Sequence, residues 1–301
     1  MTASTTNSPQ ADAKRPKADG QKTLDEVRLE IDSIDDAMHD LLMRRADLAA
    51  EVAAAKARDA QAEGAGGFIP FRPKREIELL RRLAGRNQGA LALGVVSRIW
   101  REIVAFMSQI QGPFRAIMWA GGGMPFWELT RNGYGSTVPV MQVEGCDDII
   151  DVCAQDPCAV GVLPWPTLTT GTVTGMGETP WWLTLSQSTG VRVVMALPVM
   201  SDTGVPEALS VAQAEFEATD ADTSLLVIKG CEGHAGCTAL SAHGLSAQVI
   251  DETDGAALLM VEGYVVCGDA RLLAAASDDV FEAIIPIGGY AHQVRVTGER
   301  V

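Results

Sequence analysis

Between Thr23 and Lys56 the sequence specifies one long amphipathic helix, and this segment limits the possible folds more than any other. Thr23-Leu24-Asp25-Glu26 is a capping-box pattern, in which a Thr side chain and a Glu three residues on satisfy backbone donors that a first helical turn leaves free. Val27, Ile31, Ile34, Met38 and Leu41 then recur at spacings of four and three, and Leu42, Leu48 and Val52 carry the apolar stripe onward. At ~1.5 Å per residue, a helix of about 35 residues spans roughly 50 Å. Gly64 to Gly67 break it. A second helix is predicted from Pro73, a good first-turn residue, to near Gly85. A third carries Val95, Val96, Ile99, Ile103, Phe106 and Ile110 and stops at Gly112-Pro113. Two shorter helices cannot enclose the whole stripe of the long one. A second copy of the chain is therefore expected to cover it, which predicts a homodimer.

The charges are unevenly placed. Thr23 to Gln111 holds 13 of the 24 Lys and Arg residues, and Lys14, Arg15, Lys17 and Lys22 add four more in the N-terminal tail. The region from Pro113 to Val301 has only seven. A chain of net charge −15 that gathers its cations in a helical region is expected to bind a small anion there. The same net charge argues against a nucleic-acid partner and against an anionic membrane surface. No apolar run approaches the ~18 residues of a membrane span. Residues 1–22, rich in Thr, Ser, Ala, Pro and Lys and without an apolar core, read as a disordered tail and not as an export signal. A cytoplasmic setting with six reduced cysteines is the expectation.

Arg45 and Lys56 lie eleven residues apart, which at ~100° per residue returns to within about 20° of the same helical face. Arg28, seventeen residues before Arg45, is turned about 100° away. It does not suit the same pocket, but in an antiparallel dimer it could reach the pocket of the other copy. On spacing alone, a solvated charged face with salt bridges at helical intervals explains the pattern as well.

The ordered residues Leu24-Asp25-Glu26-Val27-Arg28, Ile31-Asp32-Ser33-Ile34-Asp35, Leu41-Leu42-Met43-Arg44-Arg45, Leu48-Ala49, Lys56, Pro73-Lys74-Arg75-Glu76 and Gln111 resemble those of the all-helical chorismate mutases. They are similar in particular to the mutase domain of bifunctional chorismate mutase–prephenate dehydratases. The resemblance implies an intertwined dimer of three-helix domains over residues 23–112. It implies the rearrangement of chorismate, a dicarboxylate, to prephenate by a pericyclic step that needs no cofactor, metal or proton transfer. The protein's part is then to hold the reactive conformer and to stabilise charge on the breaking ether oxygen. Arginine suits the carboxylates through its planar fork. By this resemblance Arg45 and Arg28 of a second copy clamp the carboxylates, Lys56 and Gln111 donate to the ether oxygen, and Glu76 binds the ring hydroxyl. Arg75 takes a supporting place. Two positions depart from the family: Arg72 stands where some members have an aspartate, and Met107 where some have a pocket serine, with Ser108 one place later.

From Phe114 the pattern changes to short apolar runs, Ala116 to Trp119, Val138 to Val143, Ala159 to Leu163 and Val191 to Leu197, which predict an α/β region over 113–220. Residues 221–301 then read strand Ser224–Ile228, helix near Cys237–His243, strands Leu245–Asp251 and Ala256–Val261, helix near Ala270–Ala276 and strand Glu282–Ile287. That order is βαββαβ. Asp222-Thr223-Ser224-Leu225-Leu226 and Gly236-Cys237-Thr238-Ala239-Leu240 look like the start of an ACT domain, which implies an aromatic amino acid as effector. Val160-Gly161-Val162-Leu163-Pro164 resembles the first lobe of a prephenate dehydratase. That resemblance breaks down in three places. Trp165-Pro166 replaces Glu-Asn, Ala120-Gly121-Gly122-Gly123-Met124 replaces the Gly-Pro-x-Gly loop, and Thr-Arg-Phe is missing, so a truncated, non-catalytic module is expected.

Other candidates stay open. Cys231, His234 and Cys237 have ligand chemistry but no second pair, and packing explains them better. Trp127, Trp165, Trp181 and Trp182 suit either a cleft or core anchoring. His234 and His243 are possible acid–base groups, though isolated ones. The readings that compete with a mutase are a bifunctional mutase–dehydratase, an isochorismate pyruvate-lyase and an amino-acid-sensing regulatory partner.

Overall fold

Thr23 opens the first helix through two reciprocal bonds. Its backbone N–H donates to Glu26 Oε2 at 2.6 Å, and Glu26 N–H donates to Thr23 Oγ1 at 3.3 Å. The computed structural model describes residues 22–63, 70–166 and 179–295. The tail expected at 1–22, apart from Lys22, and the glycine break at Gly64 to Gly67 lie outside the described residues. Helix α1 (Leu24–Glu63) runs for 40 residues, somewhat beyond the predicted end near Lys56. The chain forms two compact units whose boundary falls inside this helix, one ending at Leu48 and one spanning Ala49–Val301. In the first unit Lys22 pairs with Glu30, and the stripe residues Ile31, Ile34, Met38 and Leu41 are all exposed.

In the second unit α2 (Pro73–Arg86) starts on its proline and α3 (Leu93–Gln111) stops at Gly112, as the punctuation predicts. The burial of α3 departs from expectation. Val95, Ile99 and Phe106 of its apolar stripe are exposed, whereas Val96, Arg101, Ala105, Met107 and Ser108 are buried. The helix therefore buries Val96 and Met107 together with Arg101, Ala105 and Ser108 and leaves half of its apolar stripe exposed.

The remaining elements are β1 (Arg115–Trp119), α4 (Gly123–Tyr134), β2 (Val140–Val143), α5 (Cys146–Gln155), β3 (Ala159–Pro164), α6 (Trp181–Gln187), β4 (Arg192–Leu197), β5 (Met200–Ser201) and β6 (Ala208–Ala212). They continue with β7 (Asp222–Lys229), α7 (Gly233–Ala242), β8 (Ala247–Thr253), β9 (Ala256–Glu262), α8 (Ala270–Ala275), β10 (Ala283–Ala291) and β11 (Val294–Arg295). Among the described residues they build a nine-stranded sheet of order β2-β1-β3-β6-β4-β10-β7-β9-β8. β1 pairs in parallel with β2 and β3, and β6 is antiparallel to both β3 and β4. The last four strands are antiparallel, and the order from β7 to β10 is βαββαβ.

One register, Gly288 opposite Val193, joins β10 to β4 and makes the sheet continuous. Gly288 has φ +111°, and a Cβ there would meet the Val193 carbonyl oxygen at 2.1 Å, so only glycine permits this approach. β7 is buried on both faces, which explains its unbroken Leu225-Leu226-Val227-Ile228 run. Leu225 and Val227 join the larger core under α6, and Leu226 and Ile228 join a smaller one beneath α7 and α8. Phe71, just before α2, and Ile77, Leu80 and Ala105 of α2 and α3 add to the larger core. Phe71 stacks on Phe114 with centroids 5.7 Å apart, and both meet the ring of Tyr134 edge-on.

Candidate functional site

The first turn of α2 is where the described charges gather. Pro73 fixes the entry of the helix and places Arg72, Arg75 and Glu76 within one turn. The fields of Arg72 and Arg75 both reach Lys56, which is half-buried on α1. Burial first, and then these two positive charges, hold the Lys56 ammonium below the usual lysine range. Three like charges kept close together, each with an exposed or half-buried side chain, form a locus that an anion would stabilise. Arg72 is tied to Glu217 at 3.4 Å on the protein surface.

Glu76 differs from its neighbours. Its Oε2 accepts a hydrogen bond from Arg101 Nη1 at 2.5 Å, and the two side chains are only 10% and 7% exposed. Burial drives the Glu76 carboxyl upward, and the Arg101 charge and its hydrogen bond pull it back. The Tyr134 hydroxyl on α4 senses both charges, donates to Ser210 Oγ at 2.5 Å and is itself pushed far up by burial. At the end of α3, the half-buried Gln111 donates through Nε2 to the Met107 carbonyl at 3.1 Å. Met107 and Ser108 are both buried.

The structure thus brings Lys56, Arg72 and Arg75 into one field and pairs the adjacent Glu76 with Arg101. In the first unit, Arg28 is exposed and reaches Asp25 at 3.5 Å, while Arg45 is half-buried. Arg101 is the residue that sequence reasoning missed. Its signal was present as a charge spaced i, i+4 and i+7 with Ala105 and Ser108, a buried small-residue face that the apolar stripe outshone.

The other candidates separate. Trp181 and Trp182 are fully buried, and Trp182 Nε1 donates to Asp251 at 2.9 Å. Trp165 packs edge-on against Tyr290, and Trp127 lies under Arg131 at 5.0 Å, so Trp165 and Trp127 make separate contacts while Trp181 and Trp182 are core residues of α6. His243 pairs with Asp278 at 2.8 Å, whereas His234 is exposed. Cys231 and Cys237 sit near Glu252, with both thiols pushed up mainly by burial. Among the described residues no group of three or more His, Cys, Asp or Glu could hold a metal ion. No described helix is long and apolar enough to cross a membrane.

Comparison with known proteins adds independent findings. Residues 27–112 match the family model "Chorismate mutase type II". A "Bifunctional chorismate mutase/prephenate dehydratase" of Pseudomonas aeruginosa is 28% identical over 153 residues, covering 51% of this chain and 41% of the relative. A second protein of that name, from Stutzerimonas stutzeri, is 28% identical over 147 residues, covering 49% of this chain and 40% of its own length. The matches thus span less than half the length of these relatives. A solved prephenate dehydratase from Streptococcus mutans aligns with 60% of this chain and 99% of its own, at 11% identity and a TM-score of 0.39. The helical part of this chain therefore carries a chorismate mutase type II domain, homologous to that of the bifunctional chorismate mutase/prephenate dehydratases.

Proposed function

We propose that this chain converts chorismate to prephenate. The observation that carries the reading is the cationic field of Lys56, Arg72 and Arg75 inside the matched segment. Lys56 is the donor to the breaking ether oxygen, with Gln111 swinging away from the Met107 carbonyl to add a second bond. Arg45 and Arg28, the latter from a second copy, clamp the two carboxylates. Glu76 receives the ring hydroxyl, Arg75 and Arg72 hold the anionic end of the substrate, and Met107 is part of the pocket wall. The chemistry is positioning and electrostatic stabilisation, with no covalent intermediate.

The homodimer belongs to the same proposal, supported by the exposed stripe of α1 and the exposed Val95, Ile99 and Phe106 of α3. The βαββαβ part acts as an ACT-like module that takes an aromatic amino acid as effector, within a cytoplasmic biosynthetic enzyme of the phenylalanine and tyrosine route. The bifunctional reading has one observation against it: Trp165, standing where a dehydratase has its Glu-Asn pair, is packed on Tyr290.

The decisive assay follows chorismate disappearance with and without added phenylalanine or tyrosine. Turnover is expected, and no consumption of chorismate sinks the proposal. Phenylpyruvate formed from prephenate would restore the bifunctional reading. Salicylate formed from isochorismate would point instead to a lyase. Lys56→Ala is expected to lose about 10²–10³-fold in kcat while keeping its melting temperature, because a preorganised donor at developing charge is worth that much.

A further inference from the structure

A buried ion pair is an expensive way to hold two helices together, because an apolar pair of similar volume often serves stability as well. Glu76 and Arg101 nevertheless form such a pair, joining the first turn of α2 to the middle of α3. The bond is one-pointed: Arg101 Nη1 meets Glu76 Oε2, and Arg101 Nη2 is buried without a hydrogen-bond partner among the described residues. An arginine kept only for packing is expected to have its buried donors satisfied, and an arginine–carboxylate pair optimised for strength is bidentate. Here one carboxylate oxygen is fixed and Oε1 is left outside that bond. Glu76 is also the immediate neighbour of Arg75, whose charge reaches Lys56, so the pair adjoins the cationic field.

From these observations we infer that Arg101 is a positioning residue of the mutase site: by holding Glu76 Oε2 it presents Oε1 to the hydroxyl of the bound substrate. The inference rests on the mutase reading. It makes α3 contribute to substrate recognition through a side chain that touches no substrate atom. It also ties that recognition to the α/β part of the chain, since Tyr134, hydrogen-bonded to Ser210, feels the same charges.

The test uses the full chain with R101M, R101K, E76Q and the double variant E76Q/R101M, measuring kcat and KM for chorismate together with thermal unfolding. Loss of one charged hydrogen bond to a substrate hydroxyl corresponds to about a tenfold change in binding. R101M is therefore expected to raise KM about tenfold, and R101K to recover part of it. On the E76Q background, R101M is expected to add little, because the group it positions is already altered. A purely structural role predicts something else: a lower melting temperature, with KM of the folded enzyme unchanged and the two substitutions additive. Either of those outcomes overturns the inference. Should R101M not fold, R101K decides, since Lys keeps the charge and loses the planar fork; wild-type KM in R101K would refute the role. If the wild-type chain leaves chorismate untouched, the mutase reading fails and this inference with it. A working wild type with an unchanged R101M removes the inference alone.

Discussion

Leu41 on α1 and Leu225 on β7 are the same residue in two regular elements, yet one is 65% exposed and the other 0%. Around Leu225 the chain completes its own packing, with one face of β7 in each of two cores. Around Leu41 it does not, and Ile31, Ile34 and Met38 share the exposure. Burying a leucine is worth roughly 1.5–3 kcal/mol, so β7 draws on a source of stability that the first half of α1 lacks within one chain. Local propensity alone sustains long helices poorly in water, and most helical stability in proteins comes from packing an amphipathic face. The contrast separates a region that packs its apolar face within the chain from one whose apolar stripe is exposed.

The largest effect should come from breaking the incomplete side. The double substitution Ile34→Asp with Leu41→Asp puts two charges into the exposed stripe, where a monomer would tolerate them. If the stripe is a dimer interface, mutase turnover falls by on the order of a hundredfold or more, because Arg28 no longer reaches a second copy. Sedimentation should show a monomer in the same preparation. Wild-type turnover and wild-type sedimentation in that variant would leave the stripe without a role. On the complete side, Leu226→Ala opens a cavity in the smaller core and should cost about 3–4 kcal/mol. That loss should be independent of protein concentration, whereas unfolding of the α1 region should depend on it. Thermal scans at two concentrations a hundredfold apart distinguish the two behaviours.

Legibility in the sequence follows the same division. Strands β1, β3, β4, β7 and β9 were readable because burial on both faces forces unbroken apolar runs, as in Leu225 to Ile228, whereas the half-buried β8 was readable through its place in the βαββαβ order. α1 and α2 announced their starts through Thr23 and Pro73, which act locally. Strand β6 was not readable, since Ala208-Leu209-Ser210-Val211-Ala212 owes its pairing to neighbours on either side and carries no turn signal of its own. In the site, Lys56 was legible as a charge at helical spacing from Arg45, and Arg75 through the family resemblance. Arg101 was not, because a buried cation is recognised only through the partner that neutralises it, and Glu76 lies 25 positions away. For the same reason nothing in the sequence showed that Gln111 would turn back onto the Met107 carbonyl.

A smaller effect tests how α2 is held by the complete side. Arg81 donates to Thr219 Oγ1 at 3.0 Å and to the carbonyls of Ala221 and His292, each at 3.1 Å, clasping the start of β7 and the end of β10. Charged hydrogen bonds of this kind contribute about 1.5–3 kcal/mol together with their desolvation. Arg81→Ala is expected to lower the melting temperature by a few degrees. Arg81→Lys should restore only part, because a single ammonium cannot copy a planar fork that serves three acceptors. Full recovery with lysine would mean that charge alone, and not the fork, fixes α2.

The smallest effect is also the most specific to the cationic field. If Lys56 donates to the ether oxygen it must be protonated, so kcat/KM has to fall as pH rises through the Lys56 value in the free enzyme. Burial, Arg72 and Arg75 all hold that value below the usual lysine range, which places the alkaline limb at lower pH than an ordinary lysine would give. Arg72→Ala removes one of the two positive charges acting on Lys56. The charged form becomes less unfavourable, so the limb must move to higher pH. The shift should be larger at low ionic strength than at high, because Arg72 is exposed and its field is screened by salt. A limb that stays in place when Arg72 is removed would mean that burial alone sets the Lys56 value. A limb that moves to lower pH would mean that Arg72 holds the Glu217 carboxylate near Lys56, so that losing Arg72 removes a stabilising negative charge, and the anion would then have to be recognised by Arg75 without its neighbour.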